Sequence, residues 1–224
     1  MNQEKVNLWL TTHGMVQEEP FITALKRLVN DYLLRAKYQT HEQVYKELGI
    51  CKQTLSYWAK NPDHTQTKKQ LRYDTIVKCS RLFELTPKET ELLANKAGLS
   101  ITHFDSAKGF PSFDTQWILS SACSRKELAL HTNITERMLG YILSGRHPSK
   151  SALLSLAISQ GYSIDHIQLQ MKKAGYVLSM SIPSDIVILY YLSHPPRTNP
   201  LPLVWQINLI LDELGLPMLG TNSH

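Results

Sequence analysis

The sequence lacks any run of about 18 apolar residues, the length a helix needs to cross a hydrocarbon core, so no membrane span is expected. Its opening, MNQEKVNLWLTTHG, holds too short an apolar stretch for a secretory signal, and a reducing cytoplasm is the expected location. Only three cysteines occur, Cys51, Cys79 and Cys123, and none belongs to a C-x-x-C pair. An odd count at long spacing argues against a disulfide framework and against a zinc site. The nine histidines are scattered, so no metal is expected, and nothing nominates a cofactor. There is no phosphate-cradling Gly-rich loop, no H-E-x-x-H and no G-x-S-x-G. Asp165 and His166 are adjacent and cannot share a helix face. The reading is therefore not an enzyme. Convincing β alternation is missing as well, which leaves an all-α class.

Charge is also sparse, at 19% of residues against 42% hydrophobic, which excludes a disordered polyelectrolyte. A chain of 224 residues with that apolar content supports one large domain or two small ones. The net charge of +5 is uneven. Residues 21–110 carry 15 basic and 9 acidic side chains, residues 111–224 carry 8 and 7, and residues 1–20 carry 1 and 3. A basic surplus concentrated in the first half fits a polyanionic partner.

What the sequence does have is an internal repeat. Lys96-Ala97-Gly98 recurs as Lys173-Ala174-Gly175, an offset of 77, and at that offset Ile76 falls on Leu153 and Thr86 on Ser163. Further upstream the offset is 84, placing Val44 on Leu128, Ile50 on Ile134, Leu55 on Leu139, Tyr57 on Tyr141 and Trp58 on Ile142. The seven extra residues of the first copy fall within NPDHTQTKKQLRYD. Helical period and caps divide each copy into about five helices. Thr40 caps HEQVYKEL, which Gly49 ends. Thr86, Pro87 and Glu89 form a capping signature, and Ser163 and Gly175 bound the last helix of copy two. This gives an N-terminal segment 1–20, unit one over 21–100, a linker 101–112, unit two over 113–178 and a two-helix extension 179–224. The extension is too apolar to sit free in water. It is expected to pack on unit two or to join two chains, and a homodimer through residues 182–214 is the corresponding partner expectation.

Within copy two, KELALHTNITERMLGYILSGRHPSK reads as two short helices joined at Asn133, a residue that tolerates a left-handed backbone. Ala129 marks the close approach, and Ile134, Leu139 and Ile142 point inward. In copy one the turn is Gly49, with Ile50, Leu55 and Trp58 inward. This is the helix-turn-helix pattern. Residues RKELALHTNITERMLGYILSGRHPSKSALLSLAISQGYSIDHIQLQMKKAG, about 124–175, resemble the XRE family of phage-repressor-like regulators. The likeness lies in the order of an E-L-A helix, a turn, a recognition helix, S-G with a basic-Pro element, and an L-x-x-L-A helix. Residues 21–99 resemble it more weakly, with Tyr45 where the family has a small residue.

The resemblance implies two tandem five-helix, lambda-repressor-like units and a sequence-specific partner, double-stranded DNA, with no membrane. It nominates Thr135, Glu136, Arg137 and Tyr141 of copy two as base-reading residues, and Cys51, Lys52, Gln53, Ser56 and Tyr57 of copy one. Arg and Lys suit guanine, Gln suits adenine and Glu accepts from cytosine. Phosphate contacts fall to Ser124, Arg125, Ser144, Arg146 and Lys150, and in copy one to Thr40, His41, Lys60, Lys68, Lys69 and Arg72. The plainer reading makes Lys52 and Arg137 solvated helix faces, Tyr57 and Tyr141 packing residues and 68–69 a solvated loop. The functional expectation is a transcriptional regulator acting as a repressor. The alternative is a helix-turn-helix fold that grips another protein, such as an antitoxin-like inhibitor or a polymerase adaptor.

Overall fold

In the computed structural model, which describes residues 3–36, 40–61, 71–102, 114–119, 123–195 and 201–220, short polar side chains cap six of the helices. Thr40, Thr86 and Ser124 each accept from the backbone N–H three residues on, while Gln43, Glu89 and Glu127 reach back to the cap N–H. Thr135, Ser149 and Ser163 cap through their hydroxyls alone. The chain is all-α. Among the described residues it forms α1 (Gln3–Thr12), α2 (Phe21–Arg35), α3 (His41–Glu47), α4 (Lys52–Lys60), α5 (Tyr73–Leu82), α6 (Pro87–Lys96), α7 (Gln116–Leu119), α8 (Arg125–Thr132), α9 (Glu136–Leu143), α10 (Lys150–Ser159), α11 (Ile164–Lys173), α12 (Pro183–Ser193) and α13 (Leu203–Glu213). The expected linker, 101–112, lies largely outside the described residues, as do Lys68 and Lys69.

Backbone geometry follows the repeat. Left-handed residues pair at the same offsets: Gly49 (φ 75°) with Asn133 (φ 55°), Glu84 (φ 52°) with Gly161 (φ 68°), and Gly98 (φ 70°) with Gly175 (φ 82°). The two ends of the repeat then meet. Leu99 and Tyr176 form an antiparallel bridge, in which Ser100 N donates to Gly175 O at 2.9 Å and Val177 N to Gly98 O at 3.1 Å. Each of these bonds is the counterpart of the other under the 77-residue offset. An antiparallel pair has a local twofold axis between its opposed residues. That axis relates the C-terminal end of α6 to that of α11.

Two apolar clusters hold the helices. The larger joins Val6 and Leu10 of α1, Phe21, Leu25 and Val29 of α2, Ile76 of α5, Leu153 and Leu154 of α10, Ile167 of α11 and much of α12 and α13. The smaller gathers Ile118, Leu128, Ile134, Leu139, Ile142, Ala152 and Leu156 around α8 and α9. Each fully buried Leu or Ile contributes about 1.5–3 kcal/mol relative to exposure. Leu55 lies half-buried rather than inward like Leu139.

In the extension, Ile186, Val187 and Ile188 of α12 and Val204, Ile207 and Leu211 of α13 are fully buried within the single chain. The inward apolar side chains of the extension are thus covered in cis, while Leu201 and Leu209 stay exposed. One departure from expectation is α1 within the N-terminal segment. Its Val6 and Leu10 are one turn apart and buried, and Trp9 meets Tyr190 of α12 edge-on at 5.3 Å.

Candidate nucleic-acid interface

The α8–α9 pair is fixed from inside by Leu128, Ile134, Leu139 and Ile142. The left-handed Asn133 ends α8, and Thr135 opens α9 by accepting from Met138 N at 3.3 Å. Because helical side chains repeat every 3.6 residues, burying 139 and 142 turns 137, 140, 141 and 144 outward. Thr135, Glu136, Arg137 and Ser144 are exposed, and Tyr141 is 39% exposed. Arg137 Nε donates to the Tyr141 hydroxyl at 3.0 Å, and the guanidinium carbon lies 5.6 Å from the Tyr141 ring centre. Arg146 approaches the same ring at 5.8 Å. Ser144 Oγ donates to Tyr141 O at 2.9 Å. The structure thus brings Arg137, Tyr141, Ser144 and Arg146 together on one surface. The i, i+4 spacing of Arg137 and Tyr141 is the signal in the sequence for this stack.

At the start of α8, Arg125 is exposed but Ser124 is engaged on both sides. Its N–H donates to Glu127 Oε2 at 2.8 Å and its hydroxyl accepts from Glu127 N at 3.2 Å. Those hydrogen bonds hold the Glu127 carboxyl below its usual range, so a negative charge already occupies this helix N-terminus. A phosphate there would have to share it. His147, beside Tyr176, has its imidazole pushed down by burial.

Lys150 is a correction. The resemblance implies a phosphate contact for it, yet it is 1% exposed and its Nζ sits 2.5 Å from Asp185 Oδ2 of α12. Asp185, 2% exposed, also accepts from Ser179 N at 2.7 Å. Burial drives this carboxyl upward, and the ammonium and the N–H oppose that shift. A lysine that neutralises a buried carboxylate has no reach to solvent.

In unit one, Gly49 makes the turn between α3 and α4, and Ile50 and Trp58 are buried beneath it. Lys52, Gln53, Ser56 and half-buried Tyr57 line a shallow groove of about 440 Å³ with Lys60 and Asn61. Among the described residues no carboxylate lines that groove, and its charged side chains are Lys52 and Lys60. Cys51 holds the cap position that Thr135 holds in unit two, but its side chain makes no cap bond, and its Sγ lies 3.1 Å from Thr54 Oγ1. Thr40 is engaged in a capping box with neutral Gln43, and His41 Nε2 is 2.8 Å from Asn30 Oδ1. Arg72 is exposed at the start of α5. Tyr45, where unit two has Ala129, is half-buried, and burial pushes its phenol upward. It lines an opening of about 790 Å³ with Ile50, Cys51 and Leu55.

No protein-family model matches this sequence, and no curated protein and no solved structure matches it.

Proposed function

We propose that this chain is a sequence-specific, double-stranded DNA-binding transcriptional regulator. It presents the α3–α4 and α8–α9 pairs to successive major grooves and represses by occluding a promoter. The observation that carries this reading is the Leu99–Tyr176 bridge, which joins equivalent points of two repeats whose outward surfaces carry Lys52 and Lys60 in one and Arg137 and Arg146 in the other. Dimeric helix-turn-helix regulators place two such faces about one helical turn of DNA apart. Here one chain supplies both, so a single copy serves one operator. The half-sites differ, because Gln53 stands where unit two has Arg137, and amide and guanidinium forks select adenine and guanine respectively.

Binding titrations on duplexes selected from random sequence test this. A one-to-one complex is expected, with log affinity falling against log salt at a slope near −5 for about six phosphate contacts. No enriched motif together with no salt-sensitive complex would sink the proposal. One observation favours a second reading for unit one alone, namely the opening beside Tyr45, Ile50 and Leu55, which suits an apolar side chain of a protein partner.

A further inference from the structure

Gly140 has no reason internal to the fold. It lies in the interior of α9, where glycine costs about 0.5–1 kcal/mol relative to alanine. Its backbone is not left-handed, and a Cβ built on it would meet nothing within 4 Å. Among the described residues, neither turn geometry nor packing therefore explains the missing side chain. The residues around it on the outward face are Arg137, Tyr141 and Ser144. Ser56, also small, holds the equivalent place in unit one.

The state of Arg137 adds a direction. Its Nε is spent on the Tyr141 hydroxyl, which orients the guanidinium and leaves the two Nη atoms as a fork pointing away from that bond. A planar fork matches O6 and N7 of guanine, which lie side by side in the major groove. Arg146 and Arg125 add positive charge at either end of the same unit, while Glu136 is the one carboxylate exposed beside Arg137 on α9. Lys126 adds to that charge and Glu127 offsets part of it, and the remaining surplus suits an anionic partner.

We propose that Arg137 reads guanine through its Nη fork, that Tyr141 is the positioning residue that aims it, and that Gly140 is where base-pair edges come up against the backbone of α9. This rests on the DNA-binding reading above. A Cβ at position 140 is harmless to the free protein but would hold the helix away from the groove floor. Stability and affinity are therefore expected to move in opposite directions.

The full-length protein and the variants Gly140→Ala, Tyr141→Phe and Arg137→Ala would be taken through the same selection from random duplexes, with thermal midpoints measured alongside. Gly140→Ala is expected to raise the midpoint and weaken binding to the selected duplex about tenfold or more. Arg137→Ala is expected to lose the guanine preference at one position, by about 5- to 150-fold in discrimination. Tyr141→Phe keeps the ring, and is expected to flatten that same preference while leaving the salt slope unchanged. Gly140→Ala with wild-type affinity, or with a lowered midpoint, overturns the assignment of Gly140. An unchanged motif in Arg137→Ala or Tyr141→Phe overturns theirs. A wild-type protein that selects no motif and forms no salt-sensitive complex overturns the DNA reading itself, a result distinct from the others.

Discussion

At the residue scale, Lys150 shows how environment decides what a charge does. As an isolated cation after Pro148 it suits a phosphate, but here its ammonium neutralises Asp185 in a site closed to water. Removing one partner of a buried pair leaves the other charge uncompensated, which costs about 3–5 kcal/mol, whereas replacing both with apolar side chains is often neutral. Lys150→Met is expected to lower the unfolding free energy by that amount in a denaturant titration. The double variant Lys150→Met, Asp185→Leu is expected to recover most of it. The folded single variant should bind a selected duplex as the wild type does, and a clear loss of affinity there would return Lys150 to the DNA surface. Local pattern could not have found this pairing, because the partner lies 35 residues away on another helix. Arg137, Glu136 and Thr135 were placed on the outward face because period alone determines which side of α9 the core residues occupy.

At the element scale, the segment after α13 straps unit two. Asn133 Nδ2 donates to Leu219 O at 2.9 Å, Leu219 N donates to Asn208 Oδ1 at 2.6 Å, and Ser151 Oγ donates to Gly220 O at 3.0 Å. Trp205 Nε1 donates to Leu130 O at 2.7 Å and so holds the C-terminal end of α8. Gly220 has φ 97°, and a Cβ on it would lie 2.3 Å from Asn133 O. Gly220→Ala therefore has to move either the strap or the α8–α9 turn, at about 1–3 kcal/mol. Faster amide exchange across residues 130–139, with unit one unchanged, is the expected signature. Wild-type stability and exchange in this variant would mean that the strap does not position the turn. The caps Thr40, Thr86 and Ser163 were legible because capping is written within four residues. The strap was not, since it depends on long-range hydrogen bonds from Asn208, a polar residue inside an apolar helix. The cover of the apolar tail was not either, because hydrophobicity says that a face will be covered but not by what. The α1 helix was missed for a related reason, as its stripe is short and polar residues flank it.

At the scale of the whole molecule, the repeat gave two units, yet the core does not respect that division. Leu153, Leu154, Ala157 and Ile158 of unit two belong to the same apolar cluster as Val29 and Ile76 of unit one, joined through α1, α12 and α13. Only the α8–α9 pair has a cluster of its own, and Ala152 and Leu156 tie that cluster to α10. Sharing a core couples the stabilities of its parts, because losing one half exposes the apolar face of the other. Under the proposed function it would also keep the two helix pairs at a fixed separation, as meeting two half-sites together requires. Tryptophan offers a probe on each side, with Trp58 buried in unit one and Trp205 against α8. Variants retaining one or the other are expected to unfold in denaturant with the same midpoint and slope, as a single cooperative body. Two separated transitions would show that the units fold independently and that the bridge at Leu99 and Tyr176 joins two domains rather than two halves of one.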